Sequence, residues 1–370
     1  MTDWSTLVAP GFSELDSFAL GETVAGVQAR YGLDEVVKLN WNENLFGPLP
    51  GVVEAVREEL DGVALYPELV NTAFREEVAR YVGTKPESVV PGHGTLALIG
   101  TLATVFLRPG DRVVVPAPAY GLYAQLSAIR GASVERVALR ELALDLDAMA
   151  RAASETSARI VWVCDPHNPT GSALDRAKWE RFLDALPAGC VAIVDEAYID
   201  YLPVERRVGR ELDVESGRPV VLLRSFSKFF GLAGLRLGYA IVDEGLAPYL
   251  DLVEEPFNVN CAGLAAGRAS LRLTDVADRR RAEVAEARHA LSQGLHDAGL
   301  EPQPSVANFV LARVDVDDVA LAEGLAARGL LIRPGADFGL PGSVRITVGP
   351  IPLMDRVAAE VLAVCQALRG

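Results

Sequence analysis

The chain has 370 residues, half of them hydrophobic, and a formal charge of −15 at pH 7. This length and apolar content are enough for a sizeable core in one or two domains, which excludes intrinsic disorder. The acidic balance argues against a surface for nucleic acid or another polyanion. No basic start is followed by an apolar segment, and no apolar run reaches membrane length, so we expect a cytoplasmic protein without membrane association.

The four cysteines and four histidines are scattered along the chain. No two cysteines form a CxxC pair, and apolar residues flank most of them, which is typical of reduced, buried thiols. The histidines share no metal-ligand spacing. We therefore predict neither a disulfide framework nor a bound metal.

Short β-rich runs alternate with longer helical patterns from about residue 88 to 242, which indicates a sheet covered by helices. The segments 159–164 and 190–195 are almost continuously apolar and predict central strands buried on both faces. Ligands of open α/β sheets bind at the C-terminal ends of such strands. The predicted strands are Ser88–Pro91, Arg112–Val115, Ser133–Val137, Ile160–Cys164, Val191–Asp195, Val220–Ser225 and Leu237–Val242.

The pattern changes after Pro256 to a long charged helix at about 274–297, followed by strands at Asn308–Val314 and Ser343–Val348. We predict an α/β fold with a large domain over residues 45–255, built on a mostly parallel seven-stranded sheet. A smaller α+β domain would follow over residues 256–370. Residues 1–44 lack a core of their own and would form an arm that packs on the smaller domain or on a neighbouring subunit.

Residues 225–236 follow a predicted strand directly and contain two serines, one lysine, two glycines and one arginine. Ser225, Ser227 and Arg236 are the donors that a phosphate monoester needs, and the glycines permit close backbone approach. Lys228, beside a bound phosphate and a carbonyl, is a candidate Schiff-base nucleophile. In isolation a lysine at this place is most often an exposed surface residue, so the neighbouring residues carry the prediction.

Asp195 ends another predicted strand, where a buried carboxylate needs a cationic partner. A protonated pyridine nitrogen would be such a partner. Tyr198, three residues later, could then reach the ring oxygen of the same ligand. The alternative is that Asp195 only caps the next helix.

Three further motifs follow predicted strands. Asn168 lies in a proline-rich turn and could be a rigid donor to a ring oxygen, although an ordinary turn also explains it. Gly94 and Thr95 open a helix whose free N–H groups can bind phosphate, in a pattern unlike the GxGxxG of nicotinamide cofactors. Tyr120 could stack on a flat ligand or pack in the core. All five motifs fall at the C-terminal edge of the predicted sheet, and each supplies a different part of one ligand.

The sequence resembles the class I/II aminotransferases of fold type I, which use pyridoxal 5′-phosphate (PLP), and within them it is similar to the histidinol-phosphate aminotransferases. The resemblance covers nearly the whole chain. It is carried by the segments KLNWNENLFGP (38–48), YP (66–67), NPTG (168–171), DEAY (195–198), SFSK to GY (225–239), PFNVN (256–260), ANF (307–309) and VRITVG (344–349).

The resemblance implies a role for each motif. Lys228 would bind PLP as a Schiff base, and Asp195 would pair with the pyridine nitrogen and keep it protonated. Tyr198 and Asn168 would face the ring oxygen, and Tyr120 would stack on the ring. The residues implied for the phosphate are Gly94, Thr95, Ser225, Ser227 and Arg236.

The same resemblance implies a shared site and a substrate class. Tyr66 would reach the PLP phosphate of a partner subunit, which makes the protein a homodimer. Arg333 and Arg345 match two arginines that grip the substrate phosphate in the histidinol-phosphate branch, and in other aminotransferases the match of Arg345 binds an α-carboxylate. We therefore expect transfer of an amino group between a phosphorylated amino alcohol or an amino acid and 2-oxoglutarate, in histidine or other amino-acid biosynthesis.

Several residues depart from the pattern of that branch. Phe18 stands in a segment that touches the substrate and usually provides a tyrosine hydroxyl, and Leu96 and Ala97 replace an acidic pair. Trp41 adds apolar bulk near the mouth of the site. These departures keep open an aromatic or specialised-metabolism amino acid aminotransferase. A PLP decarboxylase or oxidase would use the same lysine and aspartate, whereas a transcription regulator with this fold would need a DNA-binding region for which the chain has no spare basic segment.

Overall fold

The computed structural model describes residues 2–4, 7–8 and 21–370, and the elements below lie in this part of the chain. The α-helices are α1 Val24–Tyr31, α2 Val52–Glu59, α3 Thr72–Val82, α4 Gly94–Phe106, α5 Leu122–Ile129, α6 Leu146–Thr156, α7 Arg176–Ala185, α8 Glu211–Glu215, α9 Ala247–Val253, α10 Cys261–Leu271, α11 Thr274–Asp297, α12 Asp318–Ala326 and α13 Ile351–Arg369. None of these helices is long and apolar enough to cross a membrane.

The strands are β1 Val37–Lys38, β2 Val89–Gly92, β3 Arg112–Ala117, β4 Ser133–Ala138, β5 Ile160–Cys164, β6 Val191–Asp195, β7 Val220–Ser225, β8 Gly238–Ile241, β9 Glu301–Pro302, β10 Phe309–Arg313, β11 Leu330–Leu331, β12 Arg333–Pro334 and β13 Ser343–Thr347. Seven of them form one sheet in the order β2-β8-β7-β6-β5-β3-β4. Strand β8 runs antiparallel to both of its neighbours, and the other pairs are parallel. The predicted fold, with its mostly parallel seven-stranded sheet, is confirmed.

The central strands are buried on both faces, as their apolar sequences predict. In β5, Ile160 and Trp162 pack into one hydrophobic cluster, and Val161 and Val163 pack into a second cluster on the other face. Strand β8 is one residue shorter at each end than its apolar run predicts. Leu237 and Val242, just outside the strand, are still fully buried, so the buried segment is longer than the hydrogen-bonded strand.

A second sheet follows β8 in the chain, with four antiparallel strands in the order β12-β13-β10-β9. The helix predicted at about 274–297 is α11. Strand β1 pairs in parallel with β11, and Val27 of α1 packs with Ala326 and Leu331. One hydrophobic cluster extends from Val194 in β6 to Val344 in β13, so the core is continuous between the two sheets. The domain boundaries at residues 44 and 255 remain a prediction.

The topology brings the predicted site residues to one edge of the large sheet. Strands β2, β5, β6 and β7 are parallel to one another, so their C-terminal ends meet there. Helix α4 begins two residues after β2. In the second sheet, Arg333 of β12 lies directly opposite Arg345 of β13.

Candidate active site

A cavity of about 810 Å³ lies at this edge of the sheet. Its wall contains eleven of the predicted site residues: Thr95, Tyr120, Asn168, Asp195, Tyr198, Ser225, Ser227, Lys228, Arg236, Arg333 and Arg345. Gly94 lies behind the wall against Arg236. Tyr66 is outside the cavity and is 81% exposed. Phe18 falls outside the described residues.

Within the described residues, Lys228 is one of two lysines that line the cavity, the other being Lys38. Lys228 follows β7, and its Nζ donates a hydrogen bond to the backbone oxygen of Trp41 at 2.9 Å. Burial, followed by the nearby charge of Arg345, lowers the pKa of Lys228 to about 8. A larger fraction of the amine is therefore unprotonated near neutral pH than in a free lysine, which suits a nucleophile or a base.

Asp195 is a fully buried carboxylate at the end of β6. Its Oδ2 accepts a hydrogen bond from the Tyr123 hydroxyl at 2.6 Å, and its Oδ1 accepts one from the Ala197 N–H at 3.0 Å. Burial raises the pKa of Asp195, which forms no ion pair within the described part of the chain. The contact to Ala197 is local in the chain, and Tyr123 itself lines the cavity. A cationic ring nitrogen would supply the missing counter-charge.

The N-terminus of α4 and the segment after β7 form an anion cradle. The His93 side chain does not cap α4, so the first N–H groups of this 13-residue helix are open to a ligand. Gly94 has a φ of +75°, and a Cβ there would lie 2.7 Å from Nη2 of Arg236. Arg236 also lies 3.5 Å from the Ser227 hydroxyl. This combination of N–H, hydroxyl and guanidinium donors suits a phosphate monoester.

Tyr198 and Asn168 also line the cavity and belong to the loops after β6 and β5, respectively. The Tyr198 hydroxyl accepts a hydrogen bond from Asn42 Nδ2 at 2.9 Å, and burial raises the pKa of Tyr198. Asn168 Oδ1 accepts one from Arg345 Nη1 at 2.6 Å. Burial raises the pKa of Tyr120, also on the wall, to about 12. All of these phenols therefore stay protonated near neutral pH.

Sequence reasoning missed two residues of this site, Tyr123 and Asn42. Tyr123 is buried, stacks on Trp162 with ring centroids 5.3 Å apart, and donates to Asp195. Its position three residues after Tyr120 at the start of α5 is the signal that could have indicated it. Asn42, with a φ of 54°, comes from a segment whose resemblance was noted without a role for this side chain.

A buried charged cluster lies behind the site and was also missed. Arg210 is fully buried and forms ion pairs with Asp165 and Glu196. Arg224 pairs with Glu196 and with Glu211. Asp165 directly follows β5 and Glu196 directly follows Asp195, so the cluster ties together the two loops that carry site residues.

Arg333 and Arg345 form the second cationic part of the cavity. Arg345 is held by Asn168 and by the backbone oxygen of Asn40, at 2.7 Å from Nη2. Burial, together with the charge of Arg333, lowers the pKa of Arg345 to about 10. The Nε atoms of both arginines are buried without a hydrogen-bond partner among the described residues. Like charges directly opposite on two strands repel, so an anionic ligand would stabilise this pair.

Comparison with known proteins identifies the class. Residues 34–361 match the family model described as aminotransferase class I and II. The solved structure of histidinol-phosphate aminotransferase from Sinorhizobium meliloti in complex with PLP is similar over 98% of both chains, with a TM-score of 0.89 and 27% identity. The chain therefore belongs to the class I and II aminotransferases and is a PLP-dependent aminotransferase of fold type I. The predictions of family, fold and cofactor are confirmed.

Curated relatives show which branch of the family the chain is similar to. The histidinol-phosphate aminotransferase of Symbiobacterium thermophilum is 38% identical over 345 residues, which are 92% of this chain and 94% of the relative. The enzyme of the same name from Brevibacillus brevis is 33% identical over 338 residues, 91% of this chain and 92% of the relative. This chain is therefore similar, over nearly its full length, to enzymes with that name.

The residues of the cavity fit PLP. Gly94 and Arg236 pack so closely that any Cβ at position 94 would fill the anion cradle. Asp195 is a buried carboxylate that forms no ion pair in the described chain, and Lys228 is a partly buried amine with a lowered pKa. An aldehyde, a basic ring nitrogen and a phosphate on one molecule match these three features.

Proposed function

We propose that this aminotransferase, in the cytoplasm, moves the amino group of histidinol phosphate or a similar phosphorylated amino alcohol to 2-oxoglutarate, as a step of histidine biosynthesis. The observation that carries the proposal is the pair Arg333 and Arg345, which lie directly opposite each other on neighbouring strands and whose Nε atoms lack hydrogen-bond partners in the described chain. A planar guanidinium matches phosphate and carboxylate oxygens equally well. The names of the relatives support the phosphorylated substrate.

A substrate with a single carboxylate would need only one of the two arginines, Arg333 and Arg345, to bind it. A phosphate monoester brings a dianion, and glutamate, the product formed from 2-oxoglutarate, brings two separate carboxylates. Either ligand would offset the repulsion between Arg333 and Arg345. The same pair can therefore serve both halves of the reaction, first with the phosphorylated donor and then with the dicarboxylate.

The proposed roles of the chain's own groups follow from their positions. When bound, PLP supplies a ring that accepts the electrons released as the substrate Cα–H bond breaks. Lys228 Nζ, whose pKa is lowered by burial, would take the proton from the substrate Cα and later give it back. Asp195 would keep the ring nitrogen of PLP protonated, and the Tyr198 hydroxyl would donate to its ring oxygen. Arg345 orients the anionic end of the substrate.

A panel of amino donors tests this function. The absorbance of bound cofactor in the holoenzyme is followed after adding histidinol phosphate, glutamate, phenylalanine or tyrosine. We expect histidinol phosphate and glutamate to react fastest, with stoichiometric oxo acid from glutamate and an oxo product from histidinol phosphate. No reaction with histidinol phosphate would contradict the proposal, and release of carbon dioxide would indicate a decarboxylase.

An aromatic or specialised amino acid donor is the second candidate. The rings of Trp41, Tyr120 and Phe338 all line the cavity, which favours a flat apolar side chain. The same panel separates the candidates, because phenylalanine or tyrosine would then react faster than histidinol phosphate.

We also propose a homodimer in which Tyr66 completes the phosphate site of the partner. Tyr66 is 81% exposed and stacks on Phe257, with ring centroids 4.7 Å apart. Other large apolar side chains are exposed close to Tyr66 in sequence and shortly before Phe257. They are Leu65, Leu69, Val70, Tyr249, Leu252 and Val253. An exposed apolar area of this kind is typical of a surface that a second copy covers.

A further inference from the structure

Trp41 contacts both ends of the proposed substrate site. Its backbone oxygen accepts the hydrogen bond from Lys228 Nζ, and its ring centroid lies 5.6 Å from Cζ of Arg333. The fold explains this second contact. Strands β1 and β11 run in parallel, with the Leu39 N–H donating to the oxygen of Leu331, so the residues that follow β1 continue alongside those that follow β11.

The two arginines of the site are supported very differently. Arg345 makes two hydrogen bonds, and its guanidinium also lies 5.5 Å from the ring centroid of Phe309 and 5.6 Å from that of Phe338. Arg333 makes no hydrogen bond within the described part of the chain. Its only ion pair there is a long one, 3.5 Å from Nε to Asp337 Oδ2. The ring of Trp41 and this long ion pair are therefore what supports Arg333 within the described residues.

A second cation, Lys38, also lies near the Trp41 ring, but its charge is already paired. Lys38 Nζ lies 5.7 Å from the ring centroid of Trp41, but it is neutralised by Glu43 Oε1 at 2.9 Å. Arg333 has no comparably short ion pair. A tryptophan face attracts a guanidinium more strongly than other aromatic faces do, and excluding water strengthens the attraction.

We propose that Trp41 is a positioning residue for Arg333 and thereby makes the enzyme selective for amino donors that carry a second anion away from the reacting amine. This inference rests on the proposed function, in which Arg333 binds that anion. Trp41 holds the guanidinium in one orientation before the substrate arrives. Binding of the substrate then does not have to order the Arg333 side chain, so less conformational entropy is lost on binding. This favours donors that use Arg333 over donors that do not.

The test compares two donors with the holoenzyme. Glutamate has a distal carboxylate and no ring, whereas phenylalanine has a ring and no distal anion. In Trp41→Ala we expect the ratio of kcat/KM for glutamate to kcat/KM for phenylalanine to fall about tenfold, chiefly through a higher KM for glutamate. Trp41→Phe keeps an aromatic face and should recover most of the ratio.

A double-mutant cycle shows whether Trp41 acts through Arg333. In an Arg333→Ala background, Trp41→Ala should leave the glutamate-to-phenylalanine ratio unchanged. A further fall of the ratio in that background would overturn the inference. So would an equal loss for both donors, which would indicate an effect on Lys228 or on folding, and so would a selective loss for phenylalanine, which would indicate direct stacking of the substrate on Trp41.

The test of Trp41 can fail independently of the test of the proposed function. Failure of histidinol phosphate to react with the wild-type holoenzyme contradicts the proposed function, but the comparison of glutamate with phenylalanine still tests Trp41. Conversely, an unchanged donor ratio in Trp41→Ala overturns the inference even if histidinol phosphate is the best donor.

Discussion

Lys228 is a partly buried amine with a pKa of about 8, against 10.5 for an ordinary lysine. Between these two pH values the unfolded chain binds a proton at this position that the folded apoprotein does not, so stability rises with pH across this window. Below pH 8 the full penalty applies, about 3 kcal/mol from the two pKa values. We predict that apo Lys228→Met is more resistant to denaturant than the apo wild type at about pH 6.5, and that the advantage shrinks towards about pH 10.5. A pH-independent difference would contradict this.

Tyr123 should control the ionisation of Asp195. Burial raises the pKa of Asp195 and the bond from Tyr123 lowers it, so Tyr123→Phe should raise this pKa further. A carboxylate that protonates at higher pH loses its attraction for the ring nitrogen at higher pH. We predict that Tyr123→Phe binds PLP about tenfold more weakly, as expected for a lost hydrogen bond to a charged group, and that the defect grows as pH falls.

Titration of apoprotein with PLP, followed by fluorescence at several pH values, measures this effect. Ser127→Ala is the matched control, because Ser127 bonds to the Tyr123 backbone oxygen and to Trp162 without touching Asp195. Identical pH dependence of PLP affinity in Tyr123→Phe and the control would show that the hydroxyl has no such role.

At the scale of elements, Arg210 joins the loops after β5 and β6 at the start of α8. Arg210→Met would leave Asp165 and Glu196 as buried carboxylates without this cation. We predict a loss of about 3–5 kcal/mol in the free energy of unfolding, as for other buried pairs that lose one partner. Arg218→Met breaks the exposed pair with Asp184 and should cost less than about 1 kcal/mol. Equal denaturation midpoints for the two variants would refute the proposed importance of the cluster.

At the scale of the whole molecule, the position of Tyr66 leads to a complementation test. Each of the variants Tyr66→Phe and Lys228→Ala should be strongly impaired alone. In a mixed dimer, one site carries both defects and the other carries neither, so we predict recovery of up to about a quarter of wild-type activity from random pairing of equal amounts. Subunit exchange is verified with differently tagged chains. Absence of recovery in verified hybrids would indicate that each chain completes its own site.

The sequence by itself determined the large sheet and the cofactor motifs. Seven short β-rich runs predicted the seven strands within one or two residues at each end. The central strands were the clearest, because a strand buried on both faces is an almost uninterrupted apolar run, whereas the edge strand β4 is largely exposed. The motifs around Lys228, Asp195 and Gly94 were found because phosphate binding and strand-end turns depend on residues close together in sequence.

Only the tertiary structure decided which distant residues support that site. The Tyr123 hydroxyl reaches Asp195 across 72 residues, and Arg210 reaches Asp165 across 45. The contact of Trp41 with Arg333 depends on the pairing of β1 with β11, and the opposition of Arg333 and Arg345 depends on the register of β12 with β13. Such contacts arise from the order and register of strands, which the local pattern of apolar and polar residues does not specify.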